Sequence, residues 1–577
     1  MKKLLLGNQA VARGLYEAGC RVVSSYPGTP STEITEEVSA YPEIYSEWAP
    51  NDKVAMEVAL GASIAGARSF CAMKHVGLYV AADPLFTASY TGVNAGMVIA
   101  VADDQGMHSS QNEQDSRHYA ISAKLPMLEP ADSSECRNFV DEAYRLSEEY
   151  DTPVLLRLCT RISHSQSVVE LGEREEQELK EYVKNPQKYV MMPAAAKGRH
   201  VVVEDRQKKL AALAEATALN RIEMKDKAVG VITAGICYQY VREALPQASI
   251  LKLGMVNPLP SQLIRKFAAQ VEKLYVVEEL DGVIETHCRC IGVEVTGKEL
   301  FPNIGEFSQR TVAERLAQAV PAGPEFPEPV PVRPPVLCPG CPHRGLFYTL
   351  HKLGVMVSGD IGCYTLGALP PLTALDTTIC MGASISGLHG FNKARPESAK
   401  HSVAVIGDST FMHSGITGLV DMVYNQAHST VIVLDNSITG MTGHQQNPTT
   451  GYDIKGDPAP AVSIEKLCEA IGVRRVRVVD PNEIGQMEQA VQEELAAGEA
   501  SVIIARRPCA LLKNVEHKPA LRIDHSKCIT CKLCFRIGCP AISMVEGKVE
   551  VDPTLCVGCG LCQKLCPKSA IVDGGDK

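Results

Sequence analysis

Two short apolar runs that each end in polar residues mark the stretch around which the chain is organised. Residues 403–406 are apolar and stop at Asp408, and residues 431–434 are apolar and stop just before Asn436. A helical pattern, from residue 415 to about 426, lies between the runs. Parallel strands joined by a crossover helix end at the same edge of a sheet. The pattern therefore predicts that Asp408 and Asn436 face one crevice.

The groups at these strand ends are oxygen ligands of the kind that Mg²⁺ prefers. Asp408 offers a carboxylate, Asn436 an amide carbonyl and Ile438 a backbone carbonyl. The 28-position spacing from Asp408 to Asn436 resembles the Gly-Asp-Gly … Asn-Asn motif of thiamine diphosphate enzymes. Ser409 replaces the third glycine and Asp435 the first asparagine, but neither is a side-chain metal ligand in the motif. The alternative is an ordinary strand end with a polar loop.

The rest of the chain alternates strand and helix patterns, which predicts an α/β fold built from several doubly wound domains. Composition and spacing divide it into a domain over 1–165, a charged helical connector and second α/β domain over 166–320, a proline-rich linker over 321–335, a third α/β domain over 336–515 and a cysteine-rich tail over 516–577. A capped helix with Glu33 in its first turn follows the first predicted strands.

Composition and charge exclude several classes of function. The formal charge of −10 and the pI of about 5.9 disfavour a general nucleic-acid-binding role. An apolar run of the roughly 20 residues needed to span a membrane does not occur. The first six residues lead directly into polar Gly7-Asn8-Gln9, so we expect no signal peptide and a cytoplasmic protein.

Eight of the 21 cysteines fall in the last fifty residues at short, regular gaps. The two runs resemble those of bacterial two-cluster ferredoxins, in which the fourth cysteine of each run ligates the other cluster. The resemblance implies one [4Fe–4S] cluster on Cys528, Cys531, Cys534 and Cys566, and another on Cys556, Cys559, Cys562 and Cys539. Zinc is the competing interpretation, but zinc sites have no Cys-Pro crossover of this kind.

Three further segments extend the resemblance along the chain. They are Tyr26-Pro-Gly-Thr-Pro-Ser-Thr-Glu33, the run from Glu57 to Gly66 with its small residues, and Gly359-Asp-Ile-Gly-Cys363. With Gly407-Asp408 and the ferredoxin-like tail, they resemble the 2-oxoacid:ferredoxin oxidoreductases. The order of these segments is similar to that of the α subunit of the indolepyruvate-type enzymes, over essentially the whole chain.

The resemblance assigns expected roles to individual residues. Glu57 is the expected carboxylate partner of the thiamine aminopyrimidine, and Tyr26 and Thr29 are expected near the pyrimidine or the substrate carboxylate. Residues expected to line the cofactor are Gly359, Asp360, Gly362, Cys363, Gly382, Gly407, Asp408, Ser409, Asn436, Ile438 and Thr442. Histidines 75, 108 and 444 are candidates for substrate binding or proton transfer, although a lone histidine is more often structural.

A third [4Fe–4S] cluster is implied on Cys338, Cys341, Cys363 and Cys509. The pair His343-Arg344, just after the Cys-x-x-Cys, departs from the glycine-rich continuation that relatives have. The alternative is a set of packed thiols in a reducing cell.

The expected activity is oxidative decarboxylation of aryl pyruvates with coenzyme A, with electrons passing through the clusters to ferredoxin. The expected partners are a β subunit, ferredoxin and a small 2-oxo acid, in a heterotetramer, with no nucleic acid or membrane. The alternatives left open are a pyruvate- or 2-oxoglutarate-type oxidoreductase, a non-oxidative thiamine decarboxylase and an electron-transfer subunit.

Overall fold

The computed structural model describes residues 1–317 and 328–574, which form two compact units, Met1–Phe326 and Pro327–Lys577. Of the predicted proline-rich linker, residues 321–327 lie outside the described residues. Residues 328–335 contain neither helix nor strand. None of the described helices has the length and apolarity that crossing a bilayer would require.

A seven-stranded sheet forms the centre of unit 1. Its strands, in spatial order, are Met255–Asn257, Met127–Leu128, Val154–Cys159, Met97–Asp103, Ser69–Lys74, Val22–Ser25 and Tyr45–Trp48. All pair in parallel except the antiparallel edge strand Met255–Asn257. A mostly parallel sheet of this kind agrees with the α/β fold predicted for this part of the chain.

A second, four-stranded sheet lies in the same unit. Its order is Lys273–Val277, Asp226–Ala234, Ala248–Leu253 and Arg221–Glu223. One apolar cluster joins side chains of the first sheet and its helices, such as Met56 and Val101, to Ile232 and Leu251 of the second. In addition, Lys2–Leu6 pairs with Gln166–Glu170. The segments 1–165 and 166–320 thus share a core, and β-pairing crosses the predicted boundary.

The prediction of a helical connector is wrong over its acidic run, residues 173–181. This run has no regular structure, and the connector's long helix is Pro193–Ala216. The amide of Glu175 donates to the carbonyl of Glu17, and the amide of Lys180 donates to that of Gly66. The run therefore satisfies its backbone against neighbouring elements and not within a helix of its own.

The helices of unit 1 surround these sheets. They are Gly7–Glu17, Thr32–Val38, Asp52–Ile64, His75–Val80, Ala82–Thr91, Arg117–Ala123, Ser133–Tyr150, Thr160–His164, Pro186–Tyr189, Pro193–Ala216, Gly235–Ala244, Ser261–Ala268, Val283–Cys290 and Gln309–Leu316. The helix with Glu33 in its first turn forms as predicted, but the Ser31 side chain does not cap it. The Ser31 hydroxyl donates instead to the Gly28 carbonyl, 2.8 Å away.

Unit 2 contains a six-stranded parallel sheet and the cysteine-rich tail. The sheet order is Thr377–Thr378, Met356–Gly359, Ser402–Gly407, Thr430–Asp435, Ser501–Arg506 and Arg475–Val479. The tail has two antiparallel pairs, Leu521–Ile523 with Ile571–Asp573 and Ile542–Val545 with Lys548–Val551. This arrangement confirms the predicted α/β class with a ferredoxin-like domain after it.

The helices of unit 2 include short 3₁₀ turns and one π turn. The α-helices are His343–Leu353, Ala383–Ala394, Asp408–Thr410, Ile416–Tyr424, Ile464–Ile471, Ile484–Ala496 and Leu561–Lys564. The 3₁₀ turns are Cys363–Ala368, Pro396–Lys400 and Leu533–Ile537, and the π turn is Phe411–Gly415.

The crossover helix starts at Asp408 and not at residue 415 as predicted. Gly415 lies inside the helical stretch, where a Cβ would come within 2.7 Å of Ile406 Cδ1. Gly415 is therefore needed for close packing against the strand and does not mark a helix start.

Candidate active site

Asp408 and Asn436 follow neighbouring strands of unit 2 and lie side by side. Gly407 is in parallel register with Leu434, so both strands end at the same edge of the sheet. The two side chains are almost fully buried, with 2% and 8% of their surface exposed. The structure thus brings together the pair that the hydrophobic pattern predicted to face one crevice.

Three oxygen atoms converge at this edge. The amide atom of Asn436 that faces Asp408 lies 3.3 Å from Asp408 Oδ1 and 2.8 Å from the Ile438 carbonyl oxygen. In the structure that atom is the amide oxygen; the opposite orientation would place the NH₂ group there. Neighbouring ligands of octahedral Mg²⁺, each at about 2.1 Å, lie about 3.0 Å apart. The Asp408 carboxylate, the Asn436 amide and the Ile438 carbonyl are thus spaced like neighbouring ligands of one Mg²⁺, so these residues fit a bound magnesium ion.

The electrostatics of Asp408 also favour a cation. Burial, together with the negative charge of Asp435, raises the pKa of Asp408 to about 7. A metal ion would offset the cost of burying this carboxylate. Asp435 itself pairs with Arg506 at 2.6 Å, so this substitution in the motif braces the strand end.

The loop that starts at Gly359 is held by Asp360. The fully buried carboxylate accepts hydrogen bonds from the amides of Ile361, Gly382 and Ser384, at 2.8, 2.9 and 3.0 Å. Asp360 therefore fixes the start of the helix Ala383–Ala394 against the loop. Asp360 therefore supports the loop that borders the predicted cofactor crevice.

The aromatic ring of Tyr364 explains two of the predicted cofactor-lining glycines. A Cβ at Gly362 would lie 2.3 Å from the ring, and one at Gly407 would lie 2.6 Å from it. The Tyr364 hydroxyl donates to the Ile361 carbonyl at 2.9 Å. At Gly382, a φ of +88° and a Cβ position 2.5 Å from Ser414 also favour glycine.

The remaining predicted cofactor residues of unit 2 differ in exposure. Ser409 is buried, and its amide donates to Asp408 Oδ1 at 2.8 Å. Thr442 is half-buried, and its hydroxyl donates to the side chain of Gln445. Its loop continues from Asn436 and Ile438, so it borders the same crevice.

The four cysteines predicted to bind a third cluster lie close to one another and to this crevice. Burial, together with the neighbouring thiols of Cys509 and Cys338, raises the pKa of Cys363 to about 11. Burial likewise raises the pKa of Cys341 to about 12, with contributions from Cys363 and Cys338. The amide of Cys509 donates to the backbone carbonyl of Asn436 at 2.9 Å. The four thiols thus form one set beside the predicted metal site.

The eight tail cysteines separate into the two sets that the resemblance implied. Burial raises the pKa of Cys534, and the thiolates of Cys531, Cys528 and Cys566 raise it further. The same four cysteines line one cavity of the tail. Burial also raises the pKa of Cys562, which has Cys559, Cys539 and Cys556 as neighbours. In each set, one cysteine comes from the other run of the sequence.

In unit 1, Glu57 lies on the outer face of the helix Asp52–Ile64. Its side chain is 48% exposed and pairs with Lys53, one turn earlier, at 3.3 Å. The Asn51 side chain caps this helix by accepting a hydrogen bond from the amide of Val54. A carboxylate that bonds to a coenzyme ring must be accessible at the protein surface. The Glu57 carboxylate is accessible in this way.

Tyr26 and Thr29 follow the strand Val22–Ser25. Tyr26 is buried and Thr29 is half-buried. The Ser109 hydroxyl donates to the Thr29 carbonyl at 3.4 Å, so the loop after the strand Met97–Asp103 reaches this segment. His75 is fully buried and its Nε2 lies 3.0 Å from the side-chain oxygen of Asn112 in that loop.

The other two candidate histidines are exposed. His108 Nε2 lies 3.4 Å from Glu306 in unit 1. His444 Nε2 lies 3.8 Å from Cys509 Sγ in unit 2, at the edge of the four-cysteine set.

Two residues outside the predicted site residues also lie at these sites. Lys74 ends the strand Ser69–Lys74, beside Gly28 and Ser109. The sequence feature that could have indicated Lys74 is a charged residue at the end of a buried strand, as for Asp408. Arg344 is buried between the first cysteine pair and the tail. Its signal is a charge directly after Cys-x-x-Cys.

Three stretches of the chain match known protein families. Residues 13–225 match the family described as pyruvate flavodoxin/ferredoxin oxidoreductase, thiamine diphosphate-binding. Residues 360–505 match the C-terminal binding domain of thiamine pyrophosphate enzymes, and residues 549–572 match the 4Fe-4S binding domain.

Comparison with individual proteins covers nearly the whole chain. The chain is 40% identical to the indolepyruvate oxidoreductase subunit IorA of Archaeoglobus fulgidus, over 99% of this chain and 97% of that protein. It is 41% identical to the Pyrococcus abyssi subunit of the same name, over 98% and 96%. A solved 2-oxoglutarate:ferredoxin oxidoreductase from Magnetococcus marinus, with 2-oxoglutarate, coenzyme A and succinyl-CoA bound, matches with a TM-score of 0.46 at 18% identity, over 55% of this chain and 64% of that one.

Proposed function

Because this chain belongs to the 2-oxoacid:ferredoxin oxidoreductases, as an α subunit of the indolepyruvate type, we propose that its substrates are aryl pyruvates such as indolepyruvate. In the proposed reaction, the bond between the carboxylate and the keto carbon breaks and CO₂ leaves. A bond forms between the keto carbon and the sulfur of coenzyme A, whose thiol proton is released. The two electrons lost by the substrate reduce two ferredoxins.

The observation that carries the proposal is the convergence of Asp408, Asn436 and the Ile438 carbonyl on one point. These oxygens would hold Mg²⁺, and the metal would bind the diphosphate of the coenzyme. When bound, thiamine diphosphate supplies the electron sink for decarboxylation. Asp360 keeps the loop around the crevice in place, and Tyr364 packs against the glycines that allow close approach.

Glu57 is the proposed partner of the coenzyme's pyrimidine ring. Its position on the outer face of its helix keeps the carboxylate accessible. Tyr26 and Thr29, after the neighbouring strand, are the proposed contacts for the pyrimidine or the substrate carboxylate. These residues would orient the reacting groups and hold a proton at the ring nitrogen.

Electrons would leave through clusters held by this chain. We assign one [4Fe–4S] cluster to each tail set and a third to Cys338, Cys341, Cys363 and Cys509. The third set lies beside the proposed metal site, because Cys509 bonds to the backbone of Asn436. This position is suited to receiving electrons first.

The assembly we propose is a heterotetramer of this chain with a β subunit. The relatives are named as subunits of an indolepyruvate oxidoreductase, which supports a partner chain. Coenzyme A is the proposed acyl acceptor, and ferredoxin is the electron acceptor of this family.

The decisive experiment measures ferredoxin reduction by the complex of this chain with its β subunit. We expect reduction with indolepyruvate and coenzyme A that depends on added thiamine diphosphate and Mg²⁺. Faster turnover of pyruvate or 2-oxoglutarate would overturn the aryl assignment. Release of an aldehyde without ferredoxin reduction would show a non-oxidative decarboxylase instead.

A further inference from the structure

Lys74 ends an inner strand at the carboxyl edge of the unit 1 sheet, where open α/β sheets form a ligand-binding crevice. The strand Ser69–Lys74 has Val22–Ser25 on one side and Met97–Asp103 on the other. Segments leaving these three strands carry Thr29, Lys74 and the loop with Ser109. In open α/β sheets, ligands bind outside the carboxyl ends of the strands. Lys74 is therefore placed where a ligand of unit 1 is expected.

The methylene groups of Lys74 pack beside Gly28, whereas its ammonium can donate to further hydrogen-bond partners. A Cβ at Gly28 would lie 3.3 Å from Lys74 Cγ and 3.5 Å from Cδ, so glycine leaves room for the stem. The ammonium donates to the Ser109 carbonyl at 2.8 Å. An ammonium has three hydrogens to donate. Further acceptors can therefore bind at the same tip.

Among the described residues, 1–317 and 328–574, no carboxylate oxygen is paired with the Lys74 ammonium. Asp104 is one of the two carboxylates that raise the pKa of Lys74, but its oxygens accept hydrogen bonds from the Ser109 amide, the Ser110 hydroxyl and the Thr160 hydroxyl, at 2.8, 2.7 and 2.8 Å. Burial lowers the pKa of Lys74 to about 8, although Asp104 and Asp52 raise it. Half-buried charges of this kind are usually paired.

The other cations around this crevice already have acidic partners. Arg161 and His108 contact Glu306, and His164 contacts Glu33. Arg117 pairs with Asp115 and Glu278, and Arg157 with Asp103 and Glu129. Lys74 is thus the cation of the crevice best able to take an anionic group from a ligand.

We propose that Lys74 binds the carboxylate of the 2-oxo acid substrate, next to Thr29. The inference rests on the proposed function, because it takes a 2-oxo acid as the ligand. Every 2-oxo acid carries this carboxylate, so Lys74 recognises the class, and other residues select the side chain. The Lys74 ammonium positions the substrate, and it makes this contact in the ground state, before the transition state is reached.

A contact made in the ground state affects substrate binding more than turnover. In Lys74→Met we expect KM for indolepyruvate to rise about thirty-fold or more, because a charge-assisted contact is lost. We expect kcat to change by less than about five-fold. Lys74→Arg keeps the charge and should recover most of the affinity. The matched control is Lys225→Met, because the Lys225 ammonium also donates to a backbone carbonyl, that of Pro246, but at the exposed surface.

A binding measurement separates charge recognition from catalysis. Calorimetry on the complex would compare indole-3-acetate with the neutral indole-3-acetamide. We expect the acid to bind more tightly to the unsubstituted complex and the preference to disappear in Lys74→Met. Equal binding of acid and amide to the unsubstituted complex, or an unchanged preference in Lys74→Met, would overturn the inference.

The two proposals fail in different ways. If aryl pyruvates are not the substrates, another 2-oxo acid will be turned over, and its KM will still rise in Lys74→Met. If Lys74 does not bind the carboxylate, indolepyruvate will be turned over with the same KM in Lys74→Met and in the unsubstituted complex.

Discussion

The guanidinium of Arg344 donates a hydrogen bond to the carbonyl of Gly538, 2.6 Å away, although 194 positions separate the two residues. It also donates to the carbonyls of Ile537, Cys338 and Leu337. One buried side chain thus fastens the tail to the loop that carries the first Cys-x-x-Cys. Burial lowers the pKa of Arg344. This lowering is partly offset by four nearby cysteines, Cys341, Cys539, Cys338 and Cys559.

Replacing Arg344 should loosen the tail. In Arg344→Met four carbonyls lose their donor, and we expect unit 2 to lose about 3 kcal/mol or more of unfolding free energy. Denaturant unfolding and limited proteolysis near residue 516 would measure the effect. The exposed Arg395→Met serves as the control. Unchanged unfolding and proteolysis in Arg344→Met would contradict this role.

Neutralising Asp408 should abolish metal-dependent coenzyme binding. In Asp408→Asn we expect the affinity for thiamine diphosphate with Mg²⁺ to fall at least about 100-fold, because even indirect changes at metal sites cost 10–100-fold. Calorimetric titration of the coenzyme with Mg²⁺ measures this. The control is Asp421→Asn, an exposed carboxylate on the same helical stretch. Equal affinities for the two variants would contradict the metal assignment.

Glu57→Gln should lower the activity without lowering the thermal stability. We expect ferredoxin reduction to fall about 100-fold or more, since an amide cannot exchange the proton as a carboxyl group does. The melting temperature should stay within error, because exposed i,i+4 pairs such as Lys53–Glu57 contribute little. Glu314→Gln breaks a similar pair with Arg310 and is the control. Full activity of Glu57→Gln would reject the proposed role.

The iron content should reveal the number of clusters. Three cubes require about twelve irons per chain. Cys363→Ser and Cys509→Ser should each retain about eight, and the exposed Cys290→Ser should retain about twelve. Chemical iron analysis with electron paramagnetic resonance distinguishes these counts. About eight irons in the unsubstituted chain would leave Cys338, Cys341, Cys363 and Cys509 as packed thiols.

Substrate affinity should weaken in alkaline solution. Burial lowers the pKa of Lys74 to about 8, and the facing Asp104 and Asp52 raise it. Lys74 is therefore charged below pH 8 and loses its charge as the pH rises through this value. We expect KM for the 2-oxo acid to rise about tenfold per pH unit above this point. Steady-state rates at several pH values test this, and KM in Lys74→Met should lack the rise.

The sequence was most informative where local pattern determines structure. The apolar runs ending at Asp408 and Asn436 identified adjacent strand ends, because strand periodicity and crossover rules act over short distances. The pattern misplaced the start of the crossover helix, because Gly415 serves packing against Ile406. It also misjudged the run 173–181, whose backbone bonds to distant elements.

Arg344 and Lys74 could not be assigned from sequence for a related reason. Arg344 acts on carbonyls near residue 537, and Lys74 contacts a carbonyl 35 positions later in the chain. A side chain whose partners are backbone atoms of remote segments leaves no spacing pattern. Only the folded arrangement shows which carbonyls these cations reach.

The exchange of one cysteine between the two runs of the tail would make the two proposed clusters depend on each other. Cys566 stands with Cys528, Cys531 and Cys534, and Cys539 stands with the later run. Each set of four cysteines therefore includes one cysteine from the other run. Oxidation of the exposed Cys531 would remove a ligand from the first proposed cluster only, but Cys566 of the later run shares that cluster, so its loss would also loosen the later run.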